Sequence, residues 1–148
     1  MGDHDGHSIE ACSRVWQALR LAYDRVARRL GTELARDCAL SPNEFDLLLY
    51  LRLHAAEEVR IGSVLEAVPL SQPALSRLVA RLEARGVLAR SAAAGDGRAV
   101  LLGVTDAGAA LADRAAAIHA QVVQETLTGK FTEAEQAELL RTLDQICR

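Results

Sequence analysis

Residues 71–85 carry polar and basic side chains whose types and spacing suit base recognition in the major groove of DNA. Ser71 can cap a helix that Gly86 would end. The three- and four-residue spacing of a buried stripe is present at Leu75, Leu78, Val79 and Leu82. The face left exposed then holds Gln72, Pro73, Ser76, Arg77 and, further round, Arg81. Because Gln can pair with adenine and Arg with guanine, we predict a recognition helix that contacts DNA through Ser71, Gln72, Pro73, Ser76, Arg77 and Arg81.

Residues 87–104 are predicted to form a hairpin that makes a second DNA contact. Two apolar runs, 87–91 and 99–104, flank a glycine-containing turn. Arg98 follows the tip, where an arginine can enter the narrow, electronegative minor groove of A·T-rich DNA. Asp96 lies on the same side of an extended chain and can brace the guanidinium group. The alternative is an exposed salt bridge across a turn, which would contribute little to stability.

The charge distribution favours a nucleic-acid-binding face in this stretch. Residues 71–98 hold five arginines and two acidic residues, a local net charge of +3 within a chain of net charge −3. Arg81 and Arg85 suit either phosphate contacts or internal salt bridges. The hairpin tip, residues 91–95, contains no basic residue. Phosphate neutralisation drives affinity, so we predict weaker non-specific DNA binding than a basic tip would give.

The elements that must position these residues are mainly helical. The chain of 148 residues is half apolar and only 3% aromatic, which favours helices over sheets. Caps and periodicity predict a helix–helix–helix–helix–strand–strand–helix–helix order, with a small extra strand near Arg60. The predicted helices span 9–36, 45–54 (capped by Ser41), 61–68, 71–85, 105–127 and 132–146.

Four segments together resemble the signature of the MarR family of bacterial transcription regulators: residues 70–79, 82–90, 96–100 and 102–108. The resemblance implies a mainly α fold with a winged helix–turn–helix lobe, acting as a homodimer on a pseudo-palindromic operator, with repression as the family's commoner mode. Carried over by position, Gln72, Pro73, Ser76 and Arg77 read bases. Arg98 is the minor-groove residue, braced by Asp96.

We expect one MarR-type domain over residues 1–148, preceded by a disordered tail. The tail is 1–8, the dimerisation helices lie in 9–40 and 105–148, and the DNA-binding lobe is 41–104. Dimerisation also has a physical argument, because the terminal helices carry more apolar surface than the DNA-reading lobe needs. Two-fold symmetry in the protein would match a symmetric operator.

The resemblance further implies that small phenolic or lipophilic compounds, oxidants or metals could tune DNA binding, and we expect a small phenolic or lipophilic effector. The candidate lining residues are Trp16, Arg20 and Tyr23 on the first helix and Phe45, Asp46 and Leu49 on the second. Each has a structural alternative. The aromatic residues can be core or interface anchors, Arg20 can be solvated, and Asp46 can bond a neighbouring backbone group or arginine.

The sequence carries weaker signals for other functions. Cys12 near a helix start could form a redox switch, and Cys38, Asp46, His54 or His119 could bind zinc, but no metal-ligand spacing is present. No catalytic group, phosphate loop or cofactor motif is visible, so we expect neither an enzyme nor a cofactor. A winged helix used only for protein contact is the remaining alternative. The start of the chain lacks signal-peptide features, which predicts a cytoplasmic protein.

Overall fold

The chain folds into helices and one small antiparallel sheet in a computed structural model, which describes residues 4–93 and 96–146. The elements are α1 (His4–Cys38), α2 (Pro42–Leu53), β1 (Val59–Arg60), α3 (Ile61–Ala67), α4 (Gln72–Ala84), β2 (Leu88–Ala93), β3 (Asp96–Val104), α5 (Asp106–Thr126) and α6 (Glu133–Asp144), with a 3-10 turn at Thr128–Lys130. The predicted fold class, element order and short strand near Arg60 are confirmed.

Two compact units divide the chain. The terminal unit comprises the described parts of residues 1–30 and 120–148, and the winged unit comprises the described parts of residues 31–119. The winged unit thus extends beyond the predicted lobe of 41–104 at both ends. It includes the last turns of α1 and most of α5.

Helix α1 begins at His4, five residues before the predicted start at Ile9. No proline interrupts this stretch, and adding a residue to an existing helix needs no new nucleation. Gly6 costs about 1 kcal/mol relative to alanine, which does not stop a helix that is already formed.

Side-chain caps start the helices that follow. Ser41 makes the predicted capping box: its Oγ accepts a hydrogen bond from the Glu44 amide at 3.3 Å, and Glu44 Oε2 accepts one from the Ser41 amide at 2.7 Å. Thr132 and Glu135 repeat the arrangement at the start of α6. These caps satisfy amide groups that the first helical turn leaves without partners.

The sheet has the strand order β1-β3-β2, and both pairings are antiparallel. Val59 pairs with Leu102 on one side of β3, and Arg90 pairs with Leu102 on the other. A register shift between Ala92 and Ala93 interrupts the β2–β3 ladder near its tip. The hairpin is the wing that the sequence predicts.

The core of the winged unit is made by apolar side chains from its helices and strands. Its largest fully buried residues are Phe45, Leu34, Leu40, Leu47, Leu48, Leu51, Leu75, Leu82, Leu88, Val64 and Val79. Four apolar residues of α2 are buried in it, namely Phe45, Leu47, Leu48 and Leu51, whereas Leu53 at the end of the helix is exposed although the apolar run continues to it. This core supports α4 and the wing from behind.

Candidate nucleic-acid interface

Helix α4 begins and ends with local signals that the sequence contains. Ser71 is the N-cap, and its Oγ accepts a hydrogen bond from the Ala74 amide at 3.4 Å. At the other end, Gly86 has a φ of +70°. The amides of Gly86 and Val87 donate to the carbonyls of Glu83 and Leu82, at 2.9 and 3.1 Å. This is a Schellman motif, which needs a residue that adopts positive φ without strain.

The two faces of α4 separate as predicted. Leu75, Leu78, Val79 and Leu82 are buried. The residues proposed to read DNA are all exposed, namely Ser71, Gln72, Pro73, Ser76, Arg77 and Arg81. The N-terminal turns of α4 therefore present hydrogen-bonding groups to solvent, which is the end of a recognition helix that contacts base edges.

Arg77 and Arg81 lie on α4 and Arg85 is its C-cap residue, and these three arginines differ in their contacts within the protein. Within the described part of the chain, Arg77 makes no ion pair or hydrogen bond. The Nε atom of Arg81 lies 3.2 Å from Oε1 of Glu44, at the start of α2. Arg77 is consequently the α4 arginine whose side chain is uncommitted to the protein.

Arg85 closes the C-terminal end of α1. Its Nη1 donates to the Ala39 carbonyl at 2.8 Å, and its Nη2 donates to the Cys38 carbonyl at 3.2 Å. Ala39 has a φ of 51°, a left-handed conformation that costs a non-glycine residue about 1 kcal/mol. Of the two roles that the sequence leaves open for Arg85, the observed one is internal: it satisfies carbonyl groups at a helix end.

The backbone of the wing is defined, whereas its proposed DNA-contacting side chains are outside the described part of the structure. Asp96 and Arg98 both lie in β3. Their side chains, and with them the predicted brace, are not among those described, so this assignment stays a prediction. At the base of the wing, Arg90 Nε lies 3.0 Å from Glu83 Oε2 and links β2 to α4.

A threonine–glycine pair attaches the wing to α5. The Thr105 hydroxyl donates to the Gly86 carbonyl at 2.7 Å and accepts from the Gly108 amide at 3.0 Å. A Cβ atom at Gly108 would lie 1.8 Å from the Val87 carbonyl oxygen. The Thr-x-x-Gly pattern therefore sets how closely α5 approaches the start of the wing, a reason that the sequence alone does not show.

An open groove of about 450 Å³ runs beside the exposed face of α4. Its lining comprises Ser41, Asn43, Leu70, Ala74, Arg77, Leu78, Ala80 and Arg81. Two arginines and two small polar side chains at one groove make a surface suited to an anionic backbone.

Comparison with known proteins places this arrangement in a family. A model described as MarR family matches residues 40–99. The HTH-type transcriptional regulator PecS of Dickeya dadantii (strain 3937) is 32% identical over 108 residues, covering 72% of this chain and 64% of PecS. The chain belongs to the MarR family. It spans about 64% of the length of PecS, and this relative is named a regulator rather than an enzyme.

Solved MarR-family structures share the fold of the chain. Sco3205 of Streptomyces coelicolor, solved in complex with DNA, aligns with a TM-score of 0.85 at 24% identity over 91% of this chain and 84% of Sco3205. AbsC of the same species aligns with a TM-score of 0.84 at 19% identity over 91% of this chain and 90% of AbsC. A MepR–DNA complex of S. aureus gives 0.80 at 20% identity over 88% and 94%. At these identities the similarity establishes the fold.

The candidate effector residues of this MarR-family chain divide between the units. In the terminal unit, Trp16, Arg20 and Tyr23 are all exposed, and Arg20 Nη1 lies 3.5 Å from the Asp24 carboxylate. Their role in effector binding stays a prediction.

In the winged unit, Phe45 is buried and stacks on the His119 ring, with centroids 5.2 Å apart. Asp46 is exposed overall, but desolvation of its carboxyl group raises its pKa, and His119 acts in the opposite direction. Leu49, half-buried, lines an open groove of about 340 Å³ with Asp46 and the apolar residues Leu53, Val68 and Pro69. The role of Phe45, Asp46 and Leu49 in effector binding likewise stays a prediction.

The other candidate sites have little structural support. Cys12 is exposed and Cys38 is buried, while Cys147 lies outside the described residues. Among the side chains that the structure describes, those of residues 10–93 and 99–146, no group of three or more His, Cys, Asp or Glu residues is arranged to hold a metal ion. None of the described helices combines the length and apolar character needed to cross a membrane.

Proposed function

We propose that the chain is a sequence-specific, DNA-binding transcription regulator that acts in the cytoplasm as a homodimer on a pseudo-palindromic operator. The observation that carries the proposal is the exposed face of α4, where Gln72, Ser76 and the unpaired Arg77 stand on a capped, firmly packed helix. Family membership supports the same function, because two of the similar structures are complexes with DNA. A repressor is the mode that we propose.

The exposure of the α4 side chains and the resemblance support the roles proposed for α4, and the resemblance alone supports those proposed for the wing. Gln72, Pro73, Ser76 and Arg77 contact base edges, and Ser71 and Arg81 contact the backbone beside them. Arg98, braced by Asp96, enters the minor groove. The Ser71 hydroxyl oxygen already accepts a hydrogen bond from the Ala74 amide, but the hydroxyl can still donate its proton to a phosphate oxygen.

Selection of binding sites from random DNA tests the function directly. We expect a site with two related half-sites about one helical turn apart. On that site, Arg77→Ala should weaken binding by about 1–3 kcal/mol and relax the preference at one position in each half-site. Arg98→Ala should also weaken binding, while circular dichroism shows an unchanged fold.

The matched control is Arg36→Ala, which removes an arginine that is ion-paired to Glu33 and Asp37 on α1. It should leave the base preference unchanged. Selection that enriches no sequence would contradict the proposal and favour a winged helix used for protein contact. If oxidation abolishes DNA binding by wild type but not by Cys12→Ser, the redox alternative would be supported instead.

Release by a small phenolic or lipophilic molecule is the regulatory part of the proposal. Trp16 is the only tryptophan of the chain, so its fluorescence reports on its surroundings without a label. Salicylate, as a simple phenolic probe, should change this fluorescence and lower operator affinity over the same concentration range. A fluorescence change without loss of operator binding would contradict a regulatory role for this probe.

A further inference from the structure

Glu44 is a buried charged residue in the described part of the chain, with 6% of its surface exposed. Carboxylates are almost never buried unless they are paired. Here both oxygens have partners: Oε2 accepts from the Ser41 amide at 2.7 Å, and Oε1 lies 3.2 Å from Arg81 Nε. The second partner is on the recognition helix, so Glu44 joins the start of α2 to α4.

A second capping box shows that capping alone does not require this arrangement. At the start of α6, Glu135 accepts a hydrogen bond from the Thr132 amide at 2.8 Å and from its hydroxyl at 2.9 Å, yet Glu135 is exposed. The same local motif thus completes its cap in water without an arginine. Burial of Glu44 and its contact with Arg81 therefore need a separate explanation.

Arg81 has the geometry of an arginine that is held for a ligand. Its Nε faces the buried carboxylate, while the side chain remains 63% exposed. Its side chain lines the groove that Arg77 also lines. A guanidinium is a planar fork of donors, so a carboxylate that holds one edge sets the direction of the others.

We propose that Glu44 is a positioning residue for DNA binding, which holds the Arg81 guanidinium toward the groove so that it meets a backbone phosphate in a fixed orientation. Ordering a long side chain before binding lowers the entropy lost on association. The inference rests on the proposed DNA-binding function. It assigns Glu44 a role that operates through Arg81, without a DNA contact of its own.

A double-mutant cycle on the selected operator tests this role. We expect Glu44→Gln and Arg81→Gln each to weaken binding by about tenfold and to reduce the salt slope by about 1, because one phosphate contact is lost. The double variant should bind no more weakly than either single variant. Additive losses would overturn the proposal, as would Glu44→Gln that binds like wild type.

Two further variants keep the result interpretable. Asp113→Asn removes the carboxylate of the ion pair between Arg52 on α2 and Asp113 on α5, and it should leave affinity and salt slope unchanged. If Glu44→Gln does not fold, Arg81→Lys decides: lysine keeps the charge but lacks the Nε and the planar fork. If Arg81→Lys binds the operator as weakly as Arg81→Gln does, the positioning role is supported. If Arg81→Lys binds as tightly as wild type, the positioning role is overturned. Failure of wild type to bind any DNA would reject the proposed function instead.

Discussion

The winged unit and the terminal unit differ in where they keep their apolar side chains. Of the 22 apolar residues that are buried in the described part of the chain, all but Val122 lie in the winged unit. Eight of the ten large apolar residues that are exposed lie in the terminal unit: Val15, Trp16, Leu19, Leu21, Tyr23, Phe131, Leu140 and Ile146.

This difference indicates that the two units are stabilised in different ways. The winged unit buries a core of its own, against which α4 and the wing are packed. The terminal unit exposes apolar side chains on α1 and α6, a pattern that marks surfaces for protein association. A second copy of the chain covers this surface in the homodimer that we propose, and its two-fold symmetry fits a symmetric operator.

The largest effect is expected from a core residue of the winged unit. Phe45→Ala should lower the free energy of unfolding by about 4 kcal/mol, because it removes a buried ring and leaves a cavity. Chemical denaturation followed by circular dichroism measures this loss. Leu53→Ala is the control, since Leu53 is exposed on the same helix and should change stability by less than about 0.5 kcal/mol. Equal losses from the two variants would argue against an internal core.

The next effect tests how the wing is attached. Gly108→Ala should destabilise the chain by about 3 kcal/mol, because the new methyl group would overlap the Val87 carbonyl oxygen. Gly62→Ala provides the control, since a Cβ there meets nothing within 4 Å. It should be neutral or stabilising by about 0.5–1 kcal/mol in a helix. Thermal unfolding of both variants would show whether the close approach is specific to Gly108.

The third effect concerns the terminal unit and should appear in association rather than in folding. Trp16 is 64% exposed, and tryptophans at interface centres contribute about 2 kcal/mol or more to binding. Trp16→Glu should therefore weaken dimerisation by about 30-fold, the equivalent of about 2 kcal/mol. Sedimentation over a dilution series measures it. A wild-type chain that is monomeric at micromolar concentration would contradict the dimer itself.

The sequence predicts local features well and long-range contacts poorly, and the reason is physical. Caps, the buried stripe of α4 and the stop at Gly86 depend on neighbours within four residues, so their pattern is visible in the chain. Arg85 instead bonds carbonyls 46 and 47 residues earlier. Periodicity places Arg81 and Arg85 at the edge of the buried stripe, but only the folded chain shows which groups they meet. The Glu44–Arg81 contact was missed for the same reason, because the sequence marks Glu44 only as the third residue of a capping box at the start of α2.

The smallest effect compares the capping boxes, one in each unit. Ser41→Ala and Thr132→Ala should each cost about 1 kcal/mol through the lost N-cap. The loss of stability in Thr132→Ala should also depend on pH, because the backbone amide and hydroxyl of Thr132 lower the pKa of Glu135. A carboxyl group with a lowered folded-state pKa stabilises the fold above its ordinary pKa and loses that contribution as the pH falls through the lowered value.

The difference in stability between wild type and Thr132→Ala should therefore be largest near neutral pH and shrink in acid. Denaturation at a series of pH values between neutrality and the acid range measures it, with Thr142→Ala as a control. Thr142 donates its hydroxyl to the Glu138 carbonyl, an interaction that does not involve a titrating group. A difference between wild type and Thr132→Ala that stays constant with pH would mean that the hydrogen bond from the Thr132 hydroxyl to the Glu135 carboxylate does not contribute, because the backbone amide at position 132 still donates to that carboxylate in the variant.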